Sequence, residues 1–192
     1  MTTLVFLLEE PSAREMLKGI LPRILPKTVV PEYKVFEGKQ DLEKRLERIL
    51  RLWYKPDCLF VVMRDKDSGD CRRIKEGIRN LCDRAGKQDT LVRIACHELE
   101  SFYLGDLAAV ENGLGIRGLS KHQENRLYRN PDHLECPAQE LMKLTRNRYD
   151  KVSGSRAIAP HLSIIDNRSK SFNVLVSGIR NLIETTGMKM KR

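Results

Sequence analysis

Acidic residues fall at three places where they could act together. Glu9 and Glu10 follow the apolar run Thr2 to Leu8. Asp65 and Asp67 follow the run CLFVVM, Cys58 to Met63, with Asp70 just beyond. Glu98 and Glu100 follow the short run Leu91 to Ala95. If these runs are strands of an open parallel sheet, their carboxyl ends form one edge, where such folds place their sites. Carboxylates gathered there repel and raise one another's pKa. A divalent cation removes that repulsion. Mg²⁺ prefers hard oxygen donors and retains waters. It neutralises phosphate oxygens and acidifies a bound water, chemistry suited to phosphodiesters. Each group alone has an ordinary reading: a DxD in a turn, acids favouring a helix N-terminus, or exposed helix residues. Their joint placement after three strands carries the metal reading.

Basic residues supply the complement. Lys and Arg number 35 against 26 Asp and Glu, a formal charge of +9, which suits a polyanionic partner such as DNA or RNA. Arg146, Arg148, Lys151 and Arg156 cluster in RNRYDKVSGSR. Lys151 is the candidate contact to a scissile phosphate, and Arg148 and Arg156 are candidate nucleic-acid contacts. Arg72, Arg73, Lys75 and Arg79, after the DxD loop, form a second phosphate-facing strip.

The elements needed to position these groups are legible in the pattern. Thr2 to Leu8 and Cys58 to Met63 read as strands buried on both faces. Thr28 to Phe36 reads as a strand placed at an edge by Pro31. Helices are expected at Ala13 to Leu21 capped by Ser12, Asp41 to Leu52, Cys71 to Ala85 and Glu98 to Leu107. Beyond about Ala108 the strand pattern stops, and helices are expected at Pro137 to Thr145, Ser155 to Leu162 and Ser169 to Thr185. The expectation is an α/β fold with a parallel central sheet: a core over residues 1–110 and a helical extension over 111–192, ending in the basic tail KMKR.

Other chemistries find less support. The five cysteines form no CxxC pair, so neither a zinc site nor a disulfide framework is indicated, and a reducing cytoplasm is expected. No apolar run approaches the roughly 20 residues of a membrane span. The first residues lack the basic region and cleavage site of a signal peptide. No GxxxxGK[ST] or dinucleotide fingerprint occurs. Cys96 and His97 are adjacent, so their side chains diverge rather than form a nucleophile and base. His122, His133 and His161 lack metal-type spacing, and Trp53 and Tyr54 read as packing residues.

These segments resemble the TOPRIM domain of topoisomerases, bacterial primases, small ribosomal-RNA maturases and the nuclease half of overcoming-lysogenization-defect enzymes. LLEEPSAREML is similar to its first motif, which places Glu9 on the family glutamate and Glu10 where glycine is usual. VVMRDKDSGDC is similar to its second, which places Asp65 and Asp67 on the DxD. More closely, the chain resembles a compact bacterial TOPRIM-like family of unknown function through EEPSAREMLKGILPRILP, DKDSGDC, IACHELESFYLGD, YDKVSG and SFNVLVSGI. The resemblance implies a Rossmann-like TOPRIM fold and a Mg²⁺- or Mn²⁺-dependent nuclease. Glu9, Asp65 and Asp67 would be the core ligands, joined by Glu98 and Glu100, and the glutamate would be able to serve as general acid or base. It also implies a separate ATPase partner in anti-phage defence. A nucleotidyltransferase on the same site and a non-catalytic nucleic-acid-binding or regulatory subunit are the alternatives.

Overall fold

The computed structural model describes residues 1–189, with side chains through Thr185. Of the basic tail, all but its first residue lies outside the described residues.

Four parallel strands form one sheet in the order β2-β1-β3-β4. They are β1 (Thr2–Leu8), β2 (Val29–Val35), β3 (Cys58–Asp65) and β4 (Leu91–Ala95). The two continuous apolar runs, β1 and β3, lie in the middle and pair directly, Thr3 with Cys58 through Leu8 with Met63. β2 is an edge strand, as Pro31 requires, since proline has no N–H to donate to a further strand.

The period-2 alternation of the strands divides the core in two. Leu4, Phe6, Leu8, Val61 and Met63 face the larger side. There they meet α1 (Pro11–Ile20), α4 (Ser101–Leu104), α5 (Leu107–Leu114), α7 (Lys151–Ile158) and α8 (Lys170–Lys189). Val5, Leu7, Phe60, Val62, Val92 and Ile94 face the other, against α2 (Lys39–Arg51) and α3 (Cys71–Arg84). Helices on both faces explain why β1 and β3 read as unbroken apolar runs. The protein is thus α/β, with a Rossmann-like arrangement of a parallel sheet between helices.

Several boundaries differ from expectation for local reasons. α1 starts at Pro11, and Ser12 lies within its first turn, where its hydroxyl donates to Glu10 instead of capping. The helix expected over Glu98 to Leu107 is broken. Gly105 packs so tightly that a Cβ there would lie 2.1 Å from Asn167 Oδ1, and Asp106 caps the next helix by accepting the Ala109 N–H. α7 begins at Lys151, not Ser155, because Asp150 is its N-cap and accepts the Ser153 N–H. α6 (Pro137–Leu144) falls as expected. Trp53 packs edge-on against Phe60, but Tyr54 is 89% exposed.

α1 is held against the turn that follows α7, Ala159–His161, through Gly19. A Cβ on Gly19 would lie 2.5 Å from Ala159 Cβ and 2.8 Å from its carbonyl carbon. Gly19→Ala is therefore expected to destabilise by about 1–3 kcal/mol, because backbone on the facing turn must move. A thermal melt of the variant against wild type checks this.

Candidate active site

The acids after β1, β3 and β4 meet at one edge of the sheet but divide into two groups. The first is interleaved with cations. Glu9 Oε2 accepts the Asp65 N–H at 3.0 Å and lies 3.9 Å from Arg64 Nε. Arg64, 6% exposed, also pairs with Glu43 and reaches to 3.9 Å from Asp67 Oδ2. Asp67 Oδ2 is held at 2.7 Å by Lys39. The loop is locked from below: Asp67 has φ 51° and donates its N–H to the His97 carbonyl, and His97 itself has φ 59°. Such left-handed backbone is uncommon outside glycine and fixes where the Asp67 side chain emerges.

The second group carries an excess of negative charge. Asp65 is 7% exposed and accepts the Leu99 N–H at 3.2 Å. Burial pushes its carboxyl well above the usual range, and the charges of Glu10, Glu100 and Glu9 add to this. Glu100 is fully buried and its Oε1 accepts the Tyr149 hydroxyl at 2.8 Å. Its Oε2 is buried with no hydrogen-bond partner. Burial raises the Glu100 carboxyl too, opposed by Lys151 and Tyr149 and assisted by Glu10. Lys151 Nζ lies 3.6 Å from Glu10 Oε2. Burial alone would lower its ammonium, but the charges of Glu100, Glu10, Asp65 and Glu98 outweigh that and raise it.

The YDKVSG segment builds this corner. Asp150 caps α7, which sets Lys151 at its first turn. Gly154 leaves room for Tyr149, since a Cβ there would lie 2.5 Å from the ring. The Tyr149 hydroxyl is thereby aimed at Glu100. Sequence patterns showed no role for Tyr149, because its partner is 49 residues away.

The structure gives each residue singled out in the sequence a definite surrounding. Glu9, on the family glutamate by resemblance, sits with Arg64 and the Asp65 N–H, whereas Glu10, where the resemblance expects glycine, pairs with Lys151. Glu98 lies at the start of α6, where its Oε2 accepts the Ala138 N–H at 2.8 Å. Asp67 is already paired with Lys39. Arg156 is joined to Glu15 at 2.8 Å and ties α7 to α1. Arg72 and Arg73 are exposed on the first turn of α3, and Arg148 Nη2 donates to the Leu114 carbonyl.

The donor set tests well against a hard cation in its chemistry: carboxylate oxygens, one of them orphaned and buried, with a raised pKa at Asp65 and Glu100. Among the described residues no three His, Cys, Asp or Glu side chains stand close enough to hold an ion as they are. Binding would therefore require side chains to draw together.

Glu15 gives a check on the α1–α7 frame beneath the site. It is 3% exposed and receives Arg156, Arg14 and Lys18, and these hydrogen bonds, Arg156 foremost, lower its carboxyl from 4.5 to about 2. A depressed folded-state value means that its stabilisation is present above about pH 4.5 and is lost as pH falls toward 2. Glu15→Gln is expected to cost about 1 kcal/mol at pH 7, since the cations are largely exposed and screened. The difference from wild type should vanish near pH 2 in pH-dependent denaturant melts.

Fold and site together define an α/β protein of Rossmann-like architecture with an acid-lined edge. The chain belongs to the DUF4276 family, a domain of unknown function, whose model matches residues 8–180. No curated protein and no solved structure matches it.

Proposed function

We propose that the protein is a Mg²⁺-dependent nuclease that hydrolyses nucleic-acid phosphodiesters at the edge where Glu10, Asp65 and Glu100 face Lys151. The observation that carries this reading is Glu100 Oε2, a buried carboxylate oxygen without a partner, in a corner whose acids come from three strand ends. Bound Mg²⁺ would supply charge neutralisation at the phosphate and a more acidic water. Asp65 and Glu100 would hold it, the first oriented by the Leu99 N–H and the second by Tyr149. Glu10, with 24% of its side chain exposed, is the group able to take or return a proton. Lys151 offers its ammonium to a phosphate oxygen as negative charge develops. Glu9 and Asp67 set the charge balance around Arg64 and Lys39.

The test is incubation with plasmid, RNA and nucleotides, with and without Mg²⁺ or Mn²⁺. Metal-dependent cleavage of a nucleic acid is the expected result, and turnover of nucleotides alone points to a nucleotidyltransferase. The spacing of the acids favours a second reading, a non-catalytic nucleic-acid-binding or regulatory subunit. Retention of nucleic acid without cleavage at any metal concentration would establish it. The TOPRIM likeness supports a role as the cytoplasmic effector of an anti-phage system beside a partner ATPase, so the assay includes that ATPase. Among the described residues no helix is long and apolar enough to cross a membrane.

A further inference from the structure

A cleft of about 340 Å³ opens between α3, β4 and the start of α8. Its walls include Lys75, Arg93 and Lys170. It borders the acidic edge, since its wall residue Cys96 directly precedes His97, whose carbonyl holds the Asp67 backbone.

The cations here are unbalanced. Among the described residues no ion pair joins Lys75, Arg79 or Arg93 to a carboxylate. Lys75 and Arg79 stand four apart on one helix face, a like-charge spacing that weakens a helix. Burial, with the charges of Arg93 and Arg79, holds the Lys75 ammonium below its usual value. Burial and then Arg79 do the same to Arg93. The acid in the wall, Asp132, accepts the Ser169 hydroxyl and the N–H and hydroxyl of Ser171, neutral donors that leave its charge in place, so one anion stands against the wall cations Lys75, Arg93 and Lys170.

Arg93 is built in. Its Nε donates to the Val174 carbonyl at 3.1 Å and its Nη1 to that of Val92 at 2.9 Å. Gly178 makes space for it, because a Cβ there would lie 2.3 Å from Nη2. A guanidinium fixed by two carbonyls, with no carboxylate, retains its full charge and spare donors. That is the arrangement that recognises phosphate oxygens.

We propose that this cleft binds a backbone phosphate of the nucleic acid, seated among Lys75, Arg93 and Lys170 with Arg79 beside them. The inference rests on the reading of nucleic acid as substrate and adds the surface along which it leaves the acidic edge. The shared chemistry is a phosphate anion, so inorganic phosphate and a nucleoside triphosphate serve as competitors.

The experiment measures binding of labelled single-stranded DNA, duplex DNA and RNA in EDTA across a salt series. It compares wild type, Lys75→Ala/Arg79→Ala and Arg93→Gln, with melting temperatures for each. Affinity is expected to fall for every base sequence, and the slope of log K against log salt to shrink by about 1 per residue removed. The double variant should melt no lower than wild type, because a like-charge pair is relieved. Wild-type affinity and slope in a folded double variant overturn the proposal. So does a cleft that binds phosphate or nucleotide while wild type binds no oligonucleotide. Weakened binding in the variants, from a wild type that cleaves nothing, keeps the cleft and removes the nuclease reading. Normal binding in the variants, from a wild type that cleaves, does the reverse.

Discussion

Asp65→Asn is expected to reduce metal-dependent cleavage by about 10²-fold or more, the scale of losing a group that stabilises transition-state charge. The same change should raise the melting temperature of the metal-free protein by about 2–4 °C. Asparagine keeps an oxygen to accept the Leu99 N–H but brings no charge beside Glu10, Glu100 and Glu9. Activity and stability therefore move in opposite directions, which a merely structural residue would not produce. The pH dependence follows the same sign. The Asp65 and Glu100 carboxyls are raised above 3.8 and 4.5 in the fold. The stability linked to them is present below those values and is lost as pH rises through the raised ones. Wild type should lose stability over that climb, the variant less, and Mn²⁺ should restore wild type alone. Calorimetric Mn²⁺ titration, thermal melts and cleavage assays read the three effects, and undiminished cleavage by Asp65→Asn would end the proposal.

Lys151→Ala is expected to act with the opposite sign on stability. It removes the cation that faces Glu10 and Glu100, so the buried acids repel without relief. The metal-free variant should melt below wild type, and Mn²⁺ should narrow the gap because it replaces the missing positive charge. Cleavage should fall by about 10²-fold through lost phosphate contact, while Mn²⁺ binds more tightly than to wild type, as the narrowed melting gap requires. The loss should grow with salt as the remaining basic residues are screened. Lys151→Arg should recover the melting temperature. If Lys151→Ala instead cleaves normally, the lysine serves charge balance alone.

The strands, their burial on both faces and the gathering of three acidic groups at one edge were legible in the sequence. Each depends on local information: an unbroken apolar run, a period of two, and the position of acids just past each run. Pro31 marked the edge strand because a missing N–H is a property of the residue itself. Which carboxylates are neutralised was decided by the tertiary structure alone. Glu9 and Glu10 are neighbours, yet one sits with Arg64 and the other with Lys151, cations 55 and 141 residues away. Glu98 and Glu100 both follow β4, but one is drawn to the start of α6 and the other is sealed under Tyr149. A carboxylate's role depends on what surrounds it through space, because desolvation and Coulomb energy depend on distance and burial. Chain order carries the positions of these acids, and the packing of α7 and the paired loops after β3 and β4 assigns each its partner.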